Sequence, residues 1–596
     1  MEEYYKLLSF IGDNPGSSRA EIKEGCGFTM SDATLKRMLL AGVNLGDIEV
    51  IGKGRATRYA HAVPVYSGKK RKYPAGIQTF EKIINDGFTY IDKTDLIYKL
   101  ANDEAGYCFL SRPRRFGKSL LVSALKSYFE GRKDLFEGLA IEKLETKWTA
   151  YPVIHLDLSV AAYELDKDSL LQKLDVILRE NEVELGLEES KGSPGTKLRA
   201  MVMSAYKKYG QRVVVLVDEY DSPVLGGIYN GDNGPVFKLI MRELYAPLKN
   251  LDPYLRFVFL TGISKFSQLS VFSALNNLTD ISFLDKYATI CGFTEAELGS
   301  VFDVDVVELA SRFGIRPSKV MEKLKQRYDG YHFSPACMDV YNPYSLLRLF
   351  SSMQIQDYWS ATGTPTILIN ALKQFNKDIS EIDGCEVPAH VLMMPTENLE
   401  SVEPLFYQSG YLTIKRYDPQ KDSYILGIPN AEVRRGLMYS ILPLTSGCSR
   451  LDADNLAMRF GSALREHDVD GAMAVLQAFF AGIPYPEFGK ENALLKKEAY
   501  YKRLFYTVFS FMNIQIYTEV QNSEGRTDAV MVLDDAVYVV EFKVDAPSAR
   551  DAIEQIRAKG YATRYGSTGR KIFKLGINFS SKTGTIGDWV VEQRLE

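Results

Sequence analysis

Tyr107-Cys108-Phe109-Leu110-Ser111-Arg112-Pro113-Arg114-Arg115-Phe116-Gly117-Lys118-Ser119-Leu120-Leu121 passes from an apolar, strand-like run through a basic loop into a helical pattern. A strand, a loop and a helix opening on Gly-Lys-Ser form the context that a phosphate-binding loop requires. Backbone N–H groups of such a loop and of the helix N-terminus point at a bound phosphate. Lys118 supplies the point charge on the β/γ-phosphates and the Ser119 hydroxyl binds Mg²⁺. The expected nucleotide-binding set here is Arg115, Gly117, Lys118, Ser119 and Leu120. The general pattern wants a glycine five residues before Gly117, where Arg112 stands. Arg114 and Arg115 are candidates for a phosphate contact or for an arginine finger acting in trans.

Further along, Val213-Val214-Val215-Leu216-Val217-Asp218-Glu219 is an apolar run ending in two carboxylates. At a strand end Asp218 holds Mg²⁺ through water and Glu219 orients the attacking water, the pair that a hydrolysing ATPase of the additional-strand class needs. The run 256–260 leads into Thr261-Gly262-Ile263-Ser264-Lys265, where Thr261 is the expected γ-phosphate sensor. The runs 107–111, 153–158, 213–217 and 257–261 are apolar on both faces, as parallel strands covered by helices are. Residues from about 290 to 490 read as mostly helical, with aromatic-rich loops such as Tyr328-Asp329-Gly330-Tyr331.

A second chemistry stands near the C-terminus. Gly525-Arg526-Thr527-Asp528-Ala529-Val530-Met531-Val532 and Tyr538-Val539-Val540-Glu541-Phe542-Lys543 flank a turn at Leu533-Asp534-Asp535. Strand alternation puts Glu541 and Lys543 on one face. Asp528, on the neighbouring antiparallel strand, comes to the same end. Two carboxylates and a lysine suit one or two Mg²⁺ ions and an activated water at a scissile phosphate. Asp528 and Glu541 are the expected metal ligands, and Lys543 places or activates the water and offsets transition-state charge. Upstream, Glu498 or Glu519 adds a carboxylate; downstream, a helix over 549–560 carries Gln555.

Residues 1–65 read as three short helices and a hairpin, a pattern that resembles a winged helix-turn-helix. Its third helix exposes Thr34, Lys36 and Arg37, and its wing exposes Lys53, Arg55 and Arg58, cations placed to reach phosphates while the helix enters a groove. The whole chain is not a polybasic binder: 72 Lys and Arg against 76 Asp and Glu leave a net charge of −4. Five histidines, none spaced i, i+4, disfavour a histidine zinc centre, and six scattered cysteines with no C-x-x-C pair suit a reduced, cytoplasmic chain. No apolar run approaches the roughly 20 residues of a membrane span, so no membrane partner is expected.

Tyr73-Pro74-Ala75-Gly76-Ile77-Gln78-Thr79-Phe80-Glu81-Lys82, Tyr90-Ile91-Asp92-Lys93-Thr94 and Arg112-Pro113-Arg114-Arg115-Phe116-Gly117-Lys118-Ser119 resemble the bacterial AAA-ATPase-like family. Tyr341-Asn342-Pro343, Tyr358-Trp359, Tyr407-Gln408-Ser409-Gly410-Tyr411-Leu412 and Ile428-Pro429-Asn430-Ala431-Glu432-Val433 extend the resemblance toward that family's fused PD-(D/E)XK nuclease-superfamily domain. In that family Arg-Pro-Arg-Arg-Phe-Gly-Lys-Ser is the ordinary loop, so Arg112 is no anomaly. The resemblance implies a P-loop ATPase with a parallel sheet (73–290), a helical region (291–485) and a restriction-endonuclease-like domain (486–596); with the winged helix-turn-helix (1–65) read from the residues, which is not a constant part of that family's architecture, they make a multidomain α/β chain. It implies ATP and Mg²⁺, with Mn²⁺ an option at the nuclease site, duplex DNA as partner, and a homo-oligomer. The expected function is an ATP-dependent or ATP-regulated DNA nuclease, used in defence against foreign DNA. The alternative is a nucleotide-switched DNA-binding regulator whose nuclease fold grips without cutting.

Overall fold

The computed structural model describes residues 6–593, apart from 8–9, 12–13, 15, 46–47, 53, 55–56, 62–70, 104–105, 162–165, 230–232, 266–276, 360–365, 378, 393, 395–399, 447–448, 483–504, 510–514, 523–524, 534 and 567–568. Near the N-terminus Ser18 caps the helix Arg19–Gly25 through a reciprocal capping box with Glu21. The helix Asp32–Leu45 follows, then the antiparallel strands β1 (Ile48–Ile51) and β2 (Arg58–His61). Leu7, Ile11, Ile22, Leu35, Leu39 and Ile48 form one small core beneath them. Most of the expected first helix lies outside the described residues.

The central sheet comprises β3 (Tyr107–Ser111), β4 (Val153–Asp157), β5 (Val213–Asp218), β6 (Leu255–Gly262) and β7 (Thr279–Asp280), in the order β4-β5-β6-β3-β7. Every neighbouring pair is parallel. β6 lies between β3, which leads into Gly-Lys-Ser, and β5, which ends in Asp-Glu. That inserted strand is the topology of the additional-strand class. All residues of β3 and β5 are buried, because helices cover both faces. The carboxyl ends of β3, β5 and β6 open together, and in such sheets that edge receives the ligand.

The region after residue 290 is not wholly helical. It carries an antiparallel sheet of β8 (Glu386–Pro388), β9 (Thr413–Asp418) and β10 (Ser423–Gly427), in the order β8-β10-β9. Ile414, Tyr424 and Leu426 are buried while Lys415 and Arg416 are exposed, so burial rather than helical spacing sets these segments. One apolar core joins Phe116 beside Gly117, Tyr331 and Trp359 of this region, and Phe542 of the C-terminal sheet.

The C-terminal sheet comprises β11 (Gln515–Asn522), β12 (Gly525–Val532), β13 (Ala536–Val544), β14 (Lys571–Ser580) and β15 (Thr585–Gln593), hydrogen-bonded in that order. β13 and β14 are parallel and the other pairs antiparallel. The helix Arg550–Ala558 makes the crossover from β13 to β14. Alternation divides β13: Val537 and Val539 pack with Ile553 and Ile556 of that helix, whereas Tyr538, Val540 and Phe542 face the larger core. Gly576 on β14 is needed for this packing, since a Cβ there would lie 2.5 Å from the Ala549 carbonyl oxygen. Among the described residues no helix is long and apolar enough to cross a membrane.

Candidate active sites

The loop after β3 begins with a side chain that turns inward. Arg112 is buried, and its guanidinium donates to the carbonyls of Ser111 (2.9 Å), Ser282 (2.9 Å) and Tyr287 (3.2 Å) while lying 4.3 Å over the Phe333 ring. It therefore ties β3 to the 282–287 segment rather than facing a phosphate. Gly117 takes φ +94°, a left-handed conformation favouring glycine, with open space where a Cβ would stand. The helix Lys118–Phe129 starts directly after it. Lys118 is buried, its Nζ 3.3 Å from the Pro113 carbonyl and 3.6 Å from Glu219 Oε1. Arg115 stacks 3.9 Å over Tyr344, and its buried Nη1 has no hydrogen-bond partner.

These groups border a cavity of about 650 Å³, whose wall includes the whole run from Arg114 to Leu120 together with Gly76, Gln78, Glu219 and Ser264. The Ser119 side chain lies beside Asp218 and favours its charged form. Burial pushes the Asp218 carboxyl up to about 6, with Glu219 adding to the rise and Ser119 and Lys118 opposing it. A hydroxyl and a desolvated carboxylate suit a hard cation, and an orphaned guanidinium N–H suits an anion, so Mg²⁺ and a nucleotide phosphate fit the donors present. Thr261 does not join them. It is fully buried and its hydroxyl donates to the Leu110 carbonyl at 2.8 Å, inside the sheet. Strand pairing between β6 and β3 consumes that group, and Ser264, three residues on, reaches the cavity instead.

Side chains of the middle region clasp this loop. The Trp359 indole donates to the Arg114 carbonyl (3.2 Å), and Phe116 packs edge-on against Tyr331 and Phe333 at 4.8 and 5.2 Å. A Cβ on Gly410 would lie 2.7 Å from Pro113. Glu432 is buried and accepts from the Trp359 N–H (2.7 Å), the Tyr358 N–H and the Ser345 hydroxyl (2.7 Å). Its burial pushes the carboxyl up to about 7. Spacing in the sequence gives no hint of these contacts; the only signal is that Tyr331, Trp359, Gly410 and Glu432 fall in the Tyr328–Tyr331, Tyr358-Trp359, Tyr407–Leu412 and Ile428–Val433 motifs.

In the C-terminal sheet four of the expected residues converge. Asp528 Oδ2 accepts from the Phe542 N–H (2.8 Å), and Glu541 Oε2 accepts from the Asp528 N–H (3.3 Å), locking the carboxylates of β12 and β13 side by side. Gln555, on the crossover helix, donates through Nε2 to Glu541 Oε1 and accepts from Lys543 Nζ at 2.6 Å. Lys543 Nζ is also 3.8 Å from Glu541 Oε1. Two carboxylates with an ammonium beside them form an all-oxygen donor set that fits Mg²⁺ or Mn²⁺. Glu498 lies outside the described residues, and Glu519 occupies β11.

Of the N-terminal set, Thr34, Lys36 and Arg37 are exposed on the helix Asp32–Leu45 and Arg58 is exposed on β2. Lys36 and Arg58 line one concavity with Arg19 and Lys23, while Arg37 is not part of its wall. Thr34 is partly engaged by the Ser31 hydroxyl at the helix start. Lys53 and Arg55 lie outside the described residues.

A family model described as a predicted AAA-ATPase matches residues 74–272, and one described as PD-(D/E)XK nuclease superfamily matches residues 496–589. An uncharacterized protein in the vnfD 5′ region of Azotobacter chroococcum mcd 1 is 33% identical over 531 residues, which span 88% of this chain and 99% of its own length. Among solved structures, Drosophila ORC bound to poly(dA/dT) DNA and Cdc6 is 10% identical across 72% of this chain and 62% of that chain. Its TM-score of 0.21 is too low to signify a shared fold.

Proposed function

The chain belongs to the AAA-ATPase-like family with a C-terminal PD-(D/E)XK nuclease-superfamily domain, and from that premise we propose that it is an ATP-regulated, Mg²⁺-dependent DNA nuclease. The observation that carries this reading is the convergence of Asp528, Glu541, Lys543 and Gln555 in a chain that also holds a phosphate loop facing Asp218 and Glu219. At the nucleotide site Lys118, the loop N–H groups and the orphaned Arg115 donor bind the phosphates, and Glu219 orients the attacking water. Ser119 and Asp218 would hold Mg²⁺ there. At the second site Asp528 and Glu541 would hold Mg²⁺ or Mn²⁺, which when bound polarises a scissile phosphate. Lys543, held by Gln555, places the attacking water and offsets developing charge. Exposed Lys36, Arg37 and Arg58 supply contacts to duplex DNA, the copies of the chain assemble as a homo-oligomer, and the biological task is defence against foreign DNA. The test is cleavage of supercoiled and linear duplex DNA with Mg²⁺ by the purified protein and by Glu541→Ala. Cutting that disappears in the variant supports the nuclease reading, and equal cutting by both rejects it.

A further inference from the structure

The chain enters the ATPase domain through a clasp on the helix Asp303–Phe313. Arg71 donates through Nη1 to the Val301 carbonyl and to Asp305 Oδ2 (2.7 Å), and its Nη2 stands 3.7 Å from Asp303 Oδ1. Two residues on, the Tyr73 hydroxyl donates to the other oxygen of the Asp305 carboxylate. Asp305 is buried, so one short strap, residues 71–73, satisfies both oxygens of a buried charge. Leaving such a charge buried and unpaired is costly, so the strap cannot leave without Asp305 meeting water. Lys72 adds to the hold: its Nζ donates to the Asp86 carbonyl and its own carbonyl accepts from the Thr89 N–H, both at 2.8 Å.

Both halves of the clasp border the nucleotide cavity. Directly after Tyr73 the strap continues into Pro74, Gly76 and Ile77, which line that cavity. On the other half, Phe302 lines it too, and Phe302 follows the Val301 whose carbonyl Arg71 holds. The Tyr73 ring stacks on Phe302 at 6.4 Å, and Phe302 stacks on Phe350 at 4.6 Å. The cavity of about 650 Å³ exists with the clasp closed, and release of the strap withdraws part of its wall. A ligand that touches that wall binds the closed form more tightly than the open one. By linkage it then holds the clasp shut.

We propose that Arg71, Tyr73 and Asp305 form a nucleotide-dependent clasp, closed by ATP in the cavity, which fixes the point where the chain from the N-terminal unit joins the ATPase domain. The inference rests on the nucleotide reading of the cavity and adds to it a route from that site to the N-terminal unit. No bond is made or broken covalently; ATP acts by occupying the cavity.

The test is cleavage of the full-length protein by an arginine-specific protease, with and without Mg²⁺-ATP, followed through the mass of the fragment that begins at Lys72. While Arg71 is clasped its side chain cannot enter the protease, so cleavage after it reports the open population. Saturating ATP is expected to slow this cleavage about 5- to 150-fold in the wild type and to leave it unchanged in Lys118→Ala. Tyr73→Phe keeps the ring against Phe302 and loses only the hydroxyl, so without ATP it is expected to be cut about 10-fold faster than the wild type. Asp305→Ala is expected to be cut fast with or without ATP. By reciprocity it binds ATP more weakly, by up to the factor with which ATP slows wild-type cleavage. Wild-type cleavage unchanged by bound ATP, equal slowing in Lys118→Ala, or an Asp305→Ala protein that is cut fast yet binds ATP as tightly as the wild type would each overturn the proposal. A wild-type protein that binds ATP no better than Lys118→Ala would instead remove the nucleotide reading, and this proposal with it.

Discussion

Asp218 shows how a single burial sets a pH dependence. Its folded pKa is raised to about 6, above the ordinary carboxylate value of 3.8, chiefly because desolvation penalises the charge. The folded chain therefore binds this proton more tightly than the unfolded one. Ionised Asp218 costs stability above about pH 6, and that cost is relieved as pH falls from 6 toward 4. In nucleotide-free melting curves, Asp218→Asn is expected to remove the part of the pH slope lying between those values; identical slopes in both proteins would reject the assignment. The same protonation works against a cation, so Mg²⁺-supported ATP binding is expected to weaken below pH 6 in the wild type only. Arg112 illustrates the opposite case, a charge whose work is structural. Arg112→Met leaves the Ser111, Ser282 and Tyr287 carbonyls short of a donor, and calorimetry is expected to show about 3 kcal/mol of lost stability. A loss under about 1 kcal/mol would mean those carbonyls find other donors.

The strand β13 and the crossover helix together carry the proposed nuclease site, and here the sequence was readable. Period-two alternation places Glu541 and Lys543 on one face and the hairpin brings Asp528 opposite, as the contacts bear out. Gln555 was legible as a candidate site residue on a following helix; its bridge between Glu541 and Lys543 comes from the packing of Ile553 and Ile556 onto β13. Gln555→Ala is expected to slow cleavage about 10- to 100-fold, the usual cost of losing a partner that orients a ligand, with little change in melting temperature. Cleavage at the wild-type rate would show that Lys543 needs no such support. β6 was legible as a strand, but which polar residue at its end reaches the cavity was not. Thr261 and Ser264 are both polar residues at its end, and only the pairing with β3 decides that the first hydroxyl is spent on the Leu110 carbonyl. The sheet of β8, β9 and β10 was hidden by its shortness amid helical neighbours.

Across the whole molecule the two sites are connected by packed side chains. Glu432 fastens Trp359 to the phosphate loop, and two residues further on the same helix, Ala431–Ser446, Arg434 pairs with Asp383 at 2.7 Å. Asp383 also accepts from the Tyr506 hydroxyl at 2.7 Å, and the adjacent Phe505 ring meets Phe542 edge-on at 4.5 Å, between Glu541 and Lys543. Coupling carried by such a chain is commonly altered by about 0.5–2 kcal/mol when one link is cut. Tyr506→Phe is accordingly expected to leave ATP turnover intact while lowering the stimulation of DNA cleavage by ATP. Unaltered stimulation would place the coupling elsewhere. None of these links follows from spacing, because each joins residues distant in sequence through tertiary packing alone.

Coupling of the two sites is tested most directly by the rate of Mg²⁺-dependent cleavage of duplex DNA with and without ATP, measured side by side for the wild-type protein, Lys118→Ala and Glu541→Ala. The account predicts cutting by the wild type that rises with ATP, a loss of that rise in Lys118→Ala, and no cutting in Glu541→Ala at any nucleotide concentration. Cleavage indifferent to both ATP and Lys118, or persisting in Glu541→Ala, would contradict it.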